Sequence, residues 1–131
     1  MQVFEQHRKV APKDLDELDH VNNVRYVEWV QEMSKKHWNH AANAQMKKDM
    51  IWVVRRHDIV YHKSAKLDDT LRLSTFIKEN KGPISTRIVE IHDNKTDQLL
   101  VKATTDWCLL DAKTLRPKRV PEAVTTLFEK V

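Results

Sequence analysis

The chain has a single glycine, Gly82, among its 131 residues. The phosphate-binding loops of nucleotide-binding folds need several glycines, because their backbone approaches the phosphates closely and adopts conformations that other residues avoid. A Rossmann-type or P-loop nucleotide site in its usual form is therefore excluded.

Cysteine is equally scarce, since Cys108 is the only one. One cysteine can build neither a disulfide framework nor a cysteine-rich zinc site, which favours a reducing compartment. Cys108 stands between Trp107 and Leu109, so we interpret it as a packed or half-exposed thiol rather than a nucleophile. We also expect no metal site, because His37 and His40 have no carboxylate at helical spacing beside them.

Long apolar runs are missing as well, and no stretch approaches the length of a membrane span. Residues 1–10 carry polar and charged side chains where a signal peptide would be apolar. Hydrophobic residues make up 40% of the chain and charged residues 32%, as in soluble globular proteins. We expect one cytoplasmic domain over residues 1–131, without a membrane partner.

The chain is basic, with a formal charge of +4 and a pI near 9.2. A positive balance suits polyanionic partners, either nucleic acid or a small molecule that carries phosphate groups. A nucleic-acid binder would need basic and aromatic residues on one face, whereas the lysines and arginines here are spread along the chain. We therefore expect no nucleic-acid partner.

Hydrophobic periodicity predicts one long helix that starts near Asn22 and fades within residues 39–48. Period-two patterns and turn signals predict the other elements, namely strands at Val3–Val10, Ile51–His62, Leu71–Ile77, Ile84–Ile91 and Leu99–Leu110, and a final helix at Glu122–Lys130. Consecutive strands with short turns pair antiparallel, and the buried helix must cover one face of the sheet, which gives an α+β fold. Open sheet edges favour a pair of subunits.

A dense polar cluster, residues 14–23, precedes the long helix and contains four acids, a histidine and two asparagines. Capping of the helix by Asp19 or Asn22 explains one or two of them. Capping does not explain the Asp14-x-Asp16 pair, His20 or the second asparagine, so this cluster is the best candidate for chemistry.

The stretch Asp14-Leu15-Asp16, followed by His20-Val21-Asn22-Asn23-Val24-Arg25-Tyr26 and then Trp29, resembles the motif of hotdog-fold thioesterases. It is similar both to plant acyl-ACP thioesterases and to the bacterial hydroxybenzoyl-CoA thioesterase branch. A second stretch, Thr105-x-Trp107-x-Leu109-Leu110-Asp111, is similar to the last long strand of the same group. The resemblance implies a hotdog fold, in which a curved antiparallel sheet wraps a long central helix.

The resemblance further implies an acyl-CoA thioesterase of fatty acid metabolism, which hydrolyses an acyl thioester to a free acid and coenzyme A. Asp16 would be the general base or nucleophile, and His20 would assist it. Backbone N–H groups of Asn22 and Asn23 at the helix start would stabilise the oxyanion. Asp14 would be structural, and no cofactor is implied beyond the coenzyme A of the substrate.

Three further residues, Tyr26, Trp29 and Ser64, are candidates to line the substrate site, although packing in the core is an equal alternative for Tyr26 and Trp29. Exposed basic residues would meet the phosphates of coenzyme A, with Arg55, Arg56, Lys63, Lys66 and Arg87 as candidates. Because sites of this family lie at subunit interfaces, a homodimer or homotetramer is implied. An acyl-ACP substrate is the alternative to acyl-CoA.

The chain departs from the plant pattern at two positions, with Leu18 in place of an asparagine and Ser64 in place of a glutamate. These departures leave open a non-catalytic hotdog module that binds acyl-CoA or lipid. Hotdog dehydratases are a further alternative, but their catalytic residues occupy other positions. Of these readings we favour a thioester hydrolase.

Overall fold

The computed structural model describes residues 1–129, which form five strands, three α-helices and a short 3₁₀ helix at Pro12–Asp14. In chain order the elements are β1 (Phe4–Lys9), α1 (Asn23–Ala41), α2 (Ala44–Asp49), β2 (Met50–Tyr61), β3 (Thr70–Lys81), β4 (Ile84–Asp93), β5 (Leu99–Asp111) and α3 (Glu122–Glu129). The predicted elements are present, and the short helix α2 is an addition to them. The predicted ends of the last helix, at Lys130, and of the domain, at Val131, lie outside the described residues.

The strands form one antiparallel sheet in the order β1-β3-β4-β5-β2. Consecutive strands were expected to pair, and this expectation is wrong for β2, which pairs with β5 and not with β3. The reason is the connection of residues 62–69, which is held against the start of α1 by hydrogen bonds to Val21 and Tyr26 instead of forming a tight turn. As a result β2 lies at one edge of the sheet.

Helix α1 packs along one face of this sheet, as its wide apolar stripe predicts. Its buried residues are Tyr26, Trp29, Val30, Met33, Ser34 and His37. They meet a layer of buried strand residues that includes Leu71, Leu73, Val89, Ile91, Val101 and Ala103. Full burial of a large apolar side chain contributes about 1.5–3 kcal/mol, so this layer fixes the position of the helix.

Aspartates take the place of glycine in most of the tight turns. Gly82 has φ of 60° in the β3–β4 turn, but Asp19, Asp68 and Asp97 also adopt positive φ. Aspartate tolerates this left-handed region better than most residues. Leu115, with φ of 58°, does not share that tolerance.

The free edge of the sheet carries apolar side chains. Strand β2 is paired only on its β5 side among the described residues, and it exposes Ile51, Val53, Val60 and Tyr61. Cys108, in contrast, is buried, the first of the two alternatives that the sequence leaves open. None of the helices within residues 1–129 is long and apolar enough to cross a membrane.

Candidate active site

The polar cluster before α1 folds into a tight loop, residues 16–20, on a short two-stranded stem. Leu15 and Val21 pair across the stem, and the Asp16 N–H donates to the His20 carbonyl at 2.8 Å. The Asp19 N–H donates to the Asp16 carbonyl at 3.1 Å, and Asp19 has φ of 59°. The loop therefore sits directly before the first turn of the helix.

The carboxylate of Asp16 is oriented by the backbone of its own loop. Its Oδ1 accepts hydrogen bonds from the Leu18 N–H at 2.9 Å and the His20 N–H at 3.2 Å. Its Oδ2 has no hydrogen bond within residues 1–129, and the side chain is half-buried. One carboxylate oxygen is thus held, and the other is free to meet a ligand.

Asp14 stabilises the stem, and both of its carboxylate oxygens already contact other groups of the protein. It is 2% exposed, and its Oδ2 accepts from the Ala11 N–H at 2.9 Å. Its Oδ1 lies 3.5 Å from Arg25 Nε, and its carbonyl accepts from the Asn22 N–H at 2.9 Å. These contacts are consistent with the structural role that the resemblance implies for Asp14.

The helix start offers one free amide where two were expected. The Asn22 N–H is already bound to the Asp14 carbonyl, so the prediction that it stabilises an oxyanion is wrong. Asn22 is instead the N-cap, since its side chain accepts from the Val24 N–H at 3.0 Å. The Asn23 N–H, the first of the helix, has no acceptor within the described residues, so it remains able to bind an anion.

The loop that contains Ser64 lies beside His20. His20 forms a β-bridge with Lys66, and the Val21 N–H donates to the Ala65 carbonyl at 3.0 Å. Ser64 itself is exposed next to Ala65. The structure therefore brings the Ser64 segment together with the loop that carries Asp16 and His20, although the two segments are far apart in the sequence.

Tyr26 and Trp29 belong to the hydrophobic core, which is one of the two positions that the sequence leaves open for them. Each is 2% exposed, because the stripe that contains them faces the sheet. The Tyr26 hydroxyl accepts from the Ala65 N–H at 2.9 Å and so fixes the neighbouring loop. Burial raises the pKa of Tyr26, with the negative charges of Asp69 and Asp16 adding to the effect, so its phenol stays protonated.

Arg87 is a polar residue whose position the sequence analysis missed. It was expected to lie on the surface and to contact the phosphates of coenzyme A. It is instead buried in the protein interior, with 4% of its surface exposed. Its Nη1 donates to His37 Nδ1 at 2.8 Å and to Thr75 Oγ1 at 3.1 Å. The signal was present, because Arg87 shares its strand face with Val89 and Ile91 and alternation alone places it inside. No group of three possible metal ligands is found within the described residues.

Comparison with protein families gives a match over nearly the whole chain, since residues 1–128 match the model of the acyl-ACP thioesterase N-terminal domain. The acyl-[acyl-carrier-protein] hydrolase FATB3 of Cuphea viscosissima is 30% identical over 78 residues, which are 60% of this chain and 19% of that protein. The chain therefore spans about a fifth of the length of these plant relatives. The acyl-CoA thioester hydrolase YbgC of Escherichia coli is 25% identical over 114 residues, 85% of this chain and 82% of that protein.

Solved structures show the same fold. The 1,4-dihydroxy-2-naphthoyl-CoA thioesterase of Synechocystis superposes with a TM-score of 0.84 at 17% identity, covering 99% of this chain and 98% of that one. The 12:0-ACP thioesterase of Umbellularia californica superposes with a TM-score of 0.82 at 20% identity, covering 97% of this chain and 49% of that one. These matches confirm the predicted α+β hotdog fold.

Proposed function

The chain belongs to the acyl-ACP thioesterase N-terminal domain family, and we propose that it hydrolyses acyl thioesters to a free acid and a thiol. One observation carries the proposal beyond family membership. A carboxylate with one free oxygen, on Asp16, sits in the loop that leads into a helix whose first N–H, on Asn23, is also free.

These two groups match the needs of thioester hydrolysis. Asp16 Oδ2 either removes a proton from water or attacks the thioester carbonyl itself. Both routes place negative charge on the carbonyl oxygen, which the Asn23 N–H and the positive end of the helix dipole stabilise. His20, half-buried in the same loop, assists by orienting water.

Acyl-CoA is the substrate that we propose, with acyl-ACP as the second candidate. The relative that matches this chain over most of its own length is named an acyl-CoA hydrolase, whereas the plant relatives are named for acyl carrier protein substrates. The charge of +4 favours a ligand with phosphates, and Arg55, Arg56, Lys63 and Lys66 are exposed on or after β2 to meet them. The unpaired Cys108 fits a cytoplasmic location.

The free edge of β2 supports a homodimer. Two copies of β2 related by a two-fold axis would pair antiparallel and cover the apolar residues of both edges. In that pairing the Tyr61 end of one strand lies beside the Met50 end of the other, so the Asp16 loop of one subunit approaches its partner. A homotetramer would arise from two such dimers.

Thiol release from a panel of acyl-CoA thioesters tests the proposal, with wild type, Asp16→Asn and the control Asp19→Asn compared. We expect Asp16→Asn to lower kcat by about 10²–10⁴-fold, because the amide cannot act as base or nucleophile. The amide oxygen can still accept from Leu18 and His20, so the loop should keep its shape. Asp19, an exposed carboxylate of the same loop, should be replaceable without loss of rate.

Two results would contradict the proposal. Equal rates for wild type and Asp16→Asn would remove Asp16 from the mechanism. Binding of acyl-CoA without thiol release from any carrier would favour the non-catalytic acyl-binding module that Leu18 and Ser64 leave open.

A further inference from the structure

A cavity lies far from the Asp16 loop. Its volume is about 330 Å³, and it opens between the C-terminal half of α1, the sheet and α3. The nearest helix residue that lines it, Ser34, stands eleven residues beyond Asn23, which is roughly 16 Å along the helix axis. The proposed catalytic residues do not line this cavity.

The walls of the cavity are mostly apolar and aromatic. Trp38, Trp52, Trp107 and Phe128 line it, together with Ser85 and Arg87. The indole N–H groups of Trp52 and Trp107 are buried and have no acceptor within residues 1–129. Such walls suit an apolar body that carries few polar groups.

Arg87 brings a positive charge into this apolar setting without a counter-ion. Both of its hydrogen-bond partners, His37 and Thr75, are uncharged, and no carboxylate within residues 1–129 forms an ion pair with it. Burial lowers the pKa of Arg87 to about 9, so the guanidinium is still charged at neutral pH. A buried charge is unfavourable until an anion pairs with it.

The neighbouring histidine cannot supply negative charge. Arg87 only donates hydrogen bonds, so His37 Nδ1 must accept, and the ring hydrogen lies on Nε2, which donates to Gln2 Oε1 at 2.7 Å. His37 is therefore neutral. Phe128 adds only the face of its ring, 5.5 Å from the guanidinium carbon.

We propose that this cavity binds an apolar carboxylic acid, whose carboxylate pairs with Arg87. The planar guanidinium matches a carboxylate in size and can bind both of its oxygens. The apolar walls would hold the hydrocarbon part, whereas a phosphate or a small polar anion would leave them uncovered. The ligand is either a free acid or the far carboxylate of an acyl group.

Tryptophan fluorescence measures the binding, because three tryptophans line the cavity. Wild type, Arg87→Met, Arg87→Lys and the control Arg119→Met, an exposed arginine, are each titrated with decanoate and with decan-1-ol. We expect wild type and Arg119→Met to bind decanoate roughly tenfold or more tightly than the alcohol. Arg87→Met should bind the two equally, because it keeps the apolar volume and lacks the charge.

Circular dichroism shows whether Arg87→Met folds. If it does not, the Arg87→Lys variant still tests whether Arg87 binds the carboxylate. Lysine retains the positive charge but cannot form the bidentate hydrogen bond. The Arg87→Lys protein should therefore prefer decanoate over the alcohol by a smaller factor than wild type does. Equal affinity of wild type for acid and alcohol would overturn the proposal. So would a preference for the acid that survives in full in both Arg87 variants, or failure of wild type to bind decanoate.

A hydrolysis assay then separates the two sources of the carboxylate. Hexadecanoyl-CoA is compared with the CoA thioester of hexadecanedioic acid, whose acyl group ends in a carboxylate and is long enough to extend from the Asp16 loop to the cavity. If wild type hydrolyses the second substrate faster than the first, and this difference in rate is lost in Arg87→Met, the ligand is the far end of an acyl group. Decanoate binding that needs Arg87, with equal rates for both thioesters, identifies a free acid. Only this assay rests on the proposed function, since the titrations detect binding in an inactive protein as well.

Discussion

His37 and Arg87 share a hydrogen bond of 2.8 Å inside the core, and only the arginine is charged at neutral pH. His37 is 0% exposed, and its pKa is lowered from 6.5 to about 3, first by burial and then by the charge of Arg87. The two side chains therefore carry one positive charge between them, and the charge lies on the residue that faces the cavity.

This arrangement predicts a loss of stability in mild acid. Between pH 6.5 and about 3 the unfolded chain binds a proton at His37 that the folded chain does not bind, so the free energy of unfolding falls as the pH falls. The slope from this residue approaches about 1.4 kcal/mol per pH unit. Urea unfolding at several pH values should show this slope in wild type and a shallower one in His37→Gln.

The matched control for that experiment is His62→Gln, at an exposed position after β2. It should keep the slope of wild type. If wild type and His37→Gln lose stability in parallel, acid sensitivity arises elsewhere in the molecule.

At the scale of elements, the start of α1 decides which backbone group can stabilise an oxyanion. Asn22 is extended, with φ of −64° and ψ of 134°, a conformation that a following proline accepts. Asn23 is the first helical residue, where proline is well tolerated because its missing N–H has no partner in the helix.

We therefore expect Asn23→Pro to keep the fold and to lower kcat by about 10²–10³-fold, the usual cost of losing one oxyanion donor. Asn23→Ala keeps the N–H and should retain the wild-type rate. The comparison is made by thiol release, with thermal unfolding as the test of folding. Full activity in a folded Asn23→Pro protein would exclude its amide from the reaction.

The sequence predicts the helix, the strands and the loop of the candidate site, because hydrophobic periodicity and capping are local properties. It does not distinguish Asn22 from Asn23 as the free amide. That distinction depends on the Asp14 carbonyl, which accepts the Asn22 N–H only once the stem has formed. Arg87 was missed for a different reason, since its charge was taken as a sign of exposure although the alternation of β4 places it on the face of Val89 and Ile91.

At the scale of the whole molecule, the open edge of β2 connects assembly with activity. The pairing of β2 with β5, rather than with β3, leaves β2 at the edge, and the sequence does not reveal this because the cause is the anchoring of residues 62–69. Val53, 39% exposed, is one of the apolar side chains of this edge.

We expect Val53→Lys to produce a monomer, because the charged side chain removes the apolar contact of Val53 and disfavours pairing of the edge strand. Sedimentation velocity should show half the wild-type mass, and thiol release should fall with it if the partner completes the site. Val3→Lys, at an exposed position before the opposite edge strand, should change neither. A monomeric wild type, or a dimeric Val53→Lys protein, would move the interface away from β2.

The left-handed backbone at Leu115 bears on how this chain can evolve. A left-handed conformation costs an ordinary residue about 1–2 kcal/mol, and the Leu115 side chain, 61% exposed, gains little burial in return. Replacement by glycine would remove that strain and raise the free energy of unfolding, which urea titration can measure. A lineage that acquired Leu115→Gly could then tolerate destabilising substitutions around the Arg87 cavity, and so explore new ligands without losing the fold.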